Sequence, residues 1–156
     1  MNPQPKTPMK TAATVDILND LIQICKDGQD GFRDASENVR HSDLKTLFSQ
    51  YSLQRSKFAG DLQQHVINLG EDAEKSSSIA SALHRGWIDL KSAFTKGSDH
   101  AILAECERGE DHAVAAYKDA LDQDLPSNIR NEIQEQLAAV QAAHDDICDR
   151  RDSTAE

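Results

Sequence analysis

Two ionisable residues stand where a helical core expects apolar ones. Along residues 99–122 the inward stride reads Leu103, Cys106, Glu110, Ala113/Val114, Tyr117 and Ala120/Leu121, in steps of three and four. Residues 128–151 repeat the anomaly with Ile133, Leu137, Val140, His144 and Ile147/Cys148. A carboxylate and an imidazole taken into an apolar interior need partners, because an unpaired buried charge is expensive. A divalent cation, a salt bridge or a hydrogen-bonded polar layer would each supply one. Glu110 and His144 are therefore the candidate metal ligands. Antiparallel neighbouring helices would bring them to one level, within direct or one-water hydrogen-bonding reach.

The elements that position these groups are helical. No proline occurs between Met9 and Leu125, and Ala, Leu, Gln, Asp, Glu and Lys dominate over β-branched and aromatic residues. A first helix is expected over residues 14–39, with Leu18, Ile22, Cys25, Phe32, Ala35 and Val39 inward. Ser42 is a natural N-cap for a second, which carries Leu44, Phe48, Tyr51, Phe58, Leu62, Val66 and Leu69 to a stop at Gly70. Ser77 or Ser78 can cap a shorter helix that runs to about Phe94. Ser98 caps the helix holding Glu110, and the last helix follows LPSN. Residues 1–13 and 152–156 read as disordered tails around one domain at 14–151. Short turns join the first two helices and the last two, so each pair is an antiparallel hairpin. Residues 70–98 separate the pairs, enough chain to travel the length of a bundle. The expected fold is all-α, a ferritin-like four-helix bundle with one long crossover containing a short fifth helix.

In di-metal proteins of that arrangement, two helices each give a Glu and two give Glu-x-x-His, all facing inward. The corresponding rungs here are Gln29, Gln54-x-x-Lys57, Glu110 and Gln141-x-x-His144. Amide oxygens are weak neutral donors and an ammonium repels a cation. The expectation is thus a metal-free polar layer of Gln29, Gln54, Lys57 and Gln141, with Lys57 supplying positive charge to Glu110. The rival arrangement pairs Lys57 with Asp61 at the surface. A register of the first helix that turns Asp27 or Asp30 inward would restore one acid, and a single divalent ion on Glu110 and His144 is a further alternative.

The segments LNDLIQICKDGQDGFRDA (18–35), LHRGWIDLK (83–91) and AECERGEDHAVAAY (104–117) resemble the bacterial family of ferritin-like four-helix-bundle proteins catalogued as a domain of unknown function. The resemblance spans roughly residues 14–150. It implies a ferritin-like bundle and no settled activity. A more distant similarity to rubrerythrins and bacterioferritins implies metal chemistry, at ligand positions that this chain replaces.

Composition narrows the function classes. Net charge is −10, from 27 acidic and 17 basic residues, with no Lys/Arg cluster, which argues against nucleic acid or anionic membrane as partner. No apolar run has the length of a membrane span, and the opening MNPQPKTPMK lacks the apolar core of a signal peptide. Cys25, Cys106 and Cys148 fall on apolar faces as free thiols, implying a reducing, cytoplasmic setting. Asp61 with His65, and His84, Arg85 and Trp87, read as surface or packing groups. Gly28, Gly31, Gly60 and Gly109 lie inside helices near the polar layer, permitting either close helix approach or room for a bound species there. No phosphate loop, CxxC pair or nucleophile–base motif is present. The expected function is a non-enzymatic structural or interaction protein with a degenerate di-metal site, self-associating as a dimer and needing no cofactor. The alternative is an iron- or manganese-dependent oxidoreductase or metal-storage protein.

Overall fold

The strides of three and four become helix throughout the residues that the computed structural model describes, 8–70, 87 and 90–154. α1 spans Pro8–Asn38, α2 Ser42–Asn68, α3 Leu90–Lys96, α4 Asp99–Leu121 and α5 Ser127–Ser153, with no strand among the described residues. α1 starts six residues before the expected boundary, at Pro8 instead of Thr14. Proline is tolerated there because the N–H it lacks would have no intrahelical partner in the first turn. The expected helix from Ser77 or Ser78 lies largely outside the described residues, as do His84 and Arg85.

Capping fixes how the helices are arranged. Ser98 caps α4 as expected, its side chain accepting the Ala101 N–H at 3.0 Å. Ser42 does not cap α2; His41 holds the cap position without a side-chain cap bond. Asp99 instead holds the turn that precedes α2: its carboxylate accepts the Arg40 N–H at 2.7 Å, the His41 N–H at 3.1 Å and the His41 ring at 2.8 Å. Burial pushes the Asp99 carboxyl up, but these bonds outweigh it and hold it below its ordinary value. The contact places the start of α4 at the end of the molecule where α1 turns into α2. α2 finishes at the other end, stopped by Gly70 at φ 86. α1 packs against α2 and α4, and α5 packs against α4 and α2. All four of these neighbours are antiparallel, leaving α1 parallel to α5 and α2 parallel to α4 across the diagonals.

The apolar interior divides into two clusters. One contains Leu18, Ile22, Cys25, Leu62, Val66, Tyr117 and Ile133. The other contains Phe32, Phe48, Leu103, Cys106 and Ile147. All three cysteines are free thiols: Cys25 and Cys106 are buried in different clusters, and Cys148 is half-buried beside Glu107. Trp87 enters edge-on to Phe32 at 5.1 Å between ring centroids. Its indole fills the space left by two glycines, since a Cβ on Gly31 or Gly109 would lie 2.6 or 2.4 Å from it. A Cβ on Gly60 would meet nothing within 4 Å.

These two environments give opposite expectations for the same substitution. Gly60→Ala should stabilise the protein by up to about 1 kcal/mol, the gain in helix propensity. Gly109→Ala should destabilise it despite that gain, because the indole must move. Trp87 is the sole tryptophan, so its emission should shift in Gly109→Ala alone. Thermal melts followed by fluorescence check both; a Gly109→Ala protein melting above wild type would mean that Trp87 does not fill this gap.

Candidate functional site

The inward stride of α2 runs Phe48, Ser52, Arg55, Ala59, Leu62 and Val66, every member buried. That stride carries an arginine to the middle of the molecule, level with Glu110 on α4. Arg55 and Glu110 are 2% and 0% exposed. The two guanidinium Nη groups donate one to each carboxylate oxygen, at 2.5 and 2.6 Å, and Nε donates to Gln54 Oε1 at 3.1 Å. α2 and α4 are diagonal and share no packed face, so the ion pair bridges the centre of the bundle. The Phe32 ring lies 5.2 Å below the guanidinium carbon, a favourable cation–π distance. Gly28 gives the arginine its room: a Cβ there would stand 3.3 Å from Arg55 Cγ. Burial pulls the guanidinium pKa down, but the charge and hydrogen bonds of Glu110 raise it above its ordinary value. The guanidinium therefore stays charged, and both oxygens of Glu110 accept from it at a buried site.

A second polar chain lies beside this pair. Tyr117 donates to Gln136 Oε1 at 2.7 Å, and Gln136 Nε2 donates to the Phe58 carbonyl at 3.4 Å and to Glu132 at 3.1 Å. The tyrosine's one proton is thus committed, so the Cys25 thiol, 3.0 Å away, donates to its oxygen. Burial pushes Cys25 up to about 11 and Tyr117 well above its ordinary value. Neither is poised as a nucleophile or base at neutral pH.

The sequence-derived site is redistributed by this geometry. Glu110 is at the centre, but its partner is Arg55 and not His144. Lys57 is not in the polar layer: it is 72% exposed and bonds Asp61 at 2.6 Å, the surface arrangement. It sits two residues beyond the stride that points inward, which places it on the outer face of α2. Gln54 is half-buried and serves Arg55. Gln29 is half-buried, and its carbonyl accepts from Ser52 at 2.8 Å. Gln141 turns outward to bond Asp145 at 3.1 Å. Asp30 is exposed, whereas Asp27 is half-buried, accepts from Gln23 at 2.9 Å and lines the recess beside Arg55 and Glu110. Arg55 and Gln136 are among the buried polar residues missing from the sequence expectation, as are Gln23, Ser52, Asp99 and Glu105. Arg55 was visible there as the step between Tyr51 and Phe58 in the apolar stride of α2.

His144 instead belongs to a polar cluster at the edge of the α4–α5 hairpin. Its Nε2 meets Asp111 Oδ1 at 2.6 Å and its Nδ1 meets Asp145 Oδ1 at 3.1 Å. One turn on, Cys148 donates to Glu107 Oε2 at 2.9 Å, and Arg151 donates to the other oxygen of that carboxylate. Desolvation, then the hydrogen bond to Glu107, pushes the Cys148 thiol up to about 12.

A di-metal centre of the ferritin kind does not fit the middle layer. Both oxygens of Glu110 are taken by a guanidinium, and a cation brought there would have to displace a permanently charged arginine. The recess beside the pair, whose lining includes Asp27, Gly28, Arg55, Trp87, Glu110 and His112, offers about 10 Å³, room for one water.

The family model described as a domain of unknown function, DUF2383, matches residues 13–123, and the chain belongs to that family. The match takes in Arg55, Trp87 and Glu110 and stops before α5. No curated protein matches the chain.

The buried pair should behave as a unit. Arg55→Met or Glu110→Gln alone strands a buried charge and should cost about 3–5 kcal/mol, whereas Arg55→Met with Glu110→Leu should recover most of that loss. Urea denaturation of the set measures it. Additive losses in the double variant would show that the two residues do not compensate one another.

Proposed function

We propose that the chain is a non-enzymatic structural or interaction protein, a ferritin-like bundle in which an ion pair stands where di-iron relatives hold metal. The observation that carries this reading is the bidentate Arg55–Glu110 contact at 2.5 and 2.6 Å, with both side chains buried. Arginine remains protonated at any working pH, so Glu110 is kept as an internal counter-ion and is withheld from redox-active metal. The up-down-down-up helix directions support the ferritin-like topology, because all packed neighbours are then antiparallel. The thiols and phenols of the interior support an inert core, since burial holds Cys25, Cys106 and Tyr117 in their neutral forms.

Metal analysis of tag-free protein, run beside sedimentation equilibrium, tests this reading. The expected result is no bound iron or manganese and the mass of a dimer. Two irons or manganese ions per chain, lost on Glu110→Gln, would establish the oxidoreductase or storage alternative.

A further inference from the structure

The edge of the α4–α5 hairpin carries donors that the buried pair does not use. Glu107 and Asp111 stand one turn apart on α4, and His144 and Cys148 one turn apart on α5. That spacing puts each pair on a single helix face, and the antiparallel packing sets the two pairs opposite one another. Cys148 Sγ is 2.9 Å from Glu107 Oε2 and 3.8 Å from His144 Nε2. One donor atom each from Glu107, His144 and Cys148 falls within 4.8 Å of the others. We propose that Glu107, His144 and Cys148 form a site for one divalent ion of the zinc type, with a fourth position open beside Asp111.

The donor chemistry selects the class of ion. A sulfur, an imidazole nitrogen and a single carboxylate oxygen suit zinc or cobalt, whereas calcium and magnesium require all-oxygen shells. Tetrahedral bonds of about 2.0–2.3 Å place donors roughly 3.3–3.8 Å apart. The present separations bracket that range, so rotamer adjustment on fixed helices completes the shell. The surroundings already resemble an outer shell. Asp145 accepts from Nδ1 at 3.1 Å and would keep that proton while Nε2 turns to the ion. Arg151 holds Glu107 Oε1 and leaves Oε2 facing the sulfur. The side chains of Glu107 and His144 are 16% and 18% exposed, shielded but open to an entering ion.

Charge and protons balance without any redox step. The S–H bond of Cys148 and the Nε2–H bond of His144, which faces the Asp111 carboxylate, are both replaced by bonds to the metal, and two protons leave to solvent. The thiolate and Glu107 then cancel the two positive charges of the ion, with His144 neutral. Asp111, now on the imidazole edge, is released toward the fourth position. The ion would join α4 to α5 from outside, apart from the Arg55–Glu110 pair and independent of it.

Cobalt titration of reduced, tag-free, chelator-stripped protein tests the site. One equivalent should produce the intense visible bands of tetrahedral cobalt and a thiolate-to-cobalt charge-transfer band in the near ultraviolet, both bleached by zinc. Cys148→Ser should abolish the charge-transfer band, and His144→Gln should weaken binding by at least about tenfold, the upper range for mere outer-shell partners being larger still. Glu110→Gln should leave the spectrum unchanged. Glu107→Gln gives a second variant that keeps the thiol: zinc should raise the melting midpoint of wild type but not of this protein. Absence of a cobalt–sulfur band in wild type would overturn the proposal. So would a band that survives Cys148→Ser, because the ion would then sit on another thiol.

Discussion

An arginine and a glutamate buried together in a helical core must be matched in charge and in geometry, and the rest of this molecule is arranged around that demand. Transferring either ion alone from water would cost several kcal/mol or more. Paired, they still need all their strong donor and acceptor positions met. The two Nη groups are met by the two oxygens of Glu110, and Nε is met by Gln54. Because the partners come from diagonal helices, the pair fixes the level of α2 against α4. A slip of either helix by one residue would turn one charge outward and leave the other buried alone. The gain is therefore in register and specificity more than in net stability, since an apolar pair of the same volume would hold the helices as well.

That demand also explains features that otherwise look like weaknesses. Glycines inside helices are unfavourable, yet Gly28 admits the stem of Arg55, while Gly31 and Gly109 admit the indole of Trp87. The indole packs edge-on to Phe32, whose ring lies under the guanidinium, and it also lines the recess beside the pair. Separation of the apolar interior into two clusters follows from the same cause, because the middle layer is occupied by charge. Outside that layer the chemistry changes character. The hairpin edge gathers a thiol, an imidazole and two carboxylates where solvent can reach them, so the two polar regions can serve different ends.

The four long helices, the Ser98 cap, the stop at Gly70 and the inward position of Glu110 were legible in the sequence because they follow from local rules. Ser98 caps α4 through its own side chain, and Gly70 ends α2 with a positive φ. The partner of Glu110 was less legible. The ferritin pattern directs attention to Gln54-x-x-Lys57, and Lys57 occupies a histidine position in that pattern; yet the stride through Phe48, Ser52 and Ala59 assigns the inward place to Arg55. His144 misled in the opposite way. It lies on the border of the buried face, where a shift of a few tens of degrees decides between the core and the hairpin edge. Such a rotation is set by packing between helices, and a single helix's periodicity does not carry it. The hold of Asp99 on the turn before α2, 58 residues from His41, is non-local in the same sense.

The central claim is that Arg55 is locked by two simultaneous hydrogen bonds to Glu110 inside the core. Nitrogen-detected or proton–nitrogen NMR of the guanidinium groups reads that state directly. One arginine, identified by its disappearance in Arg55→Met, should show separately resolved Nη–H signals at neutral pH, because both bond rotation and exchange with water are blocked. Averaged, rapidly exchanging signals from every arginine in the chain would contradict the account.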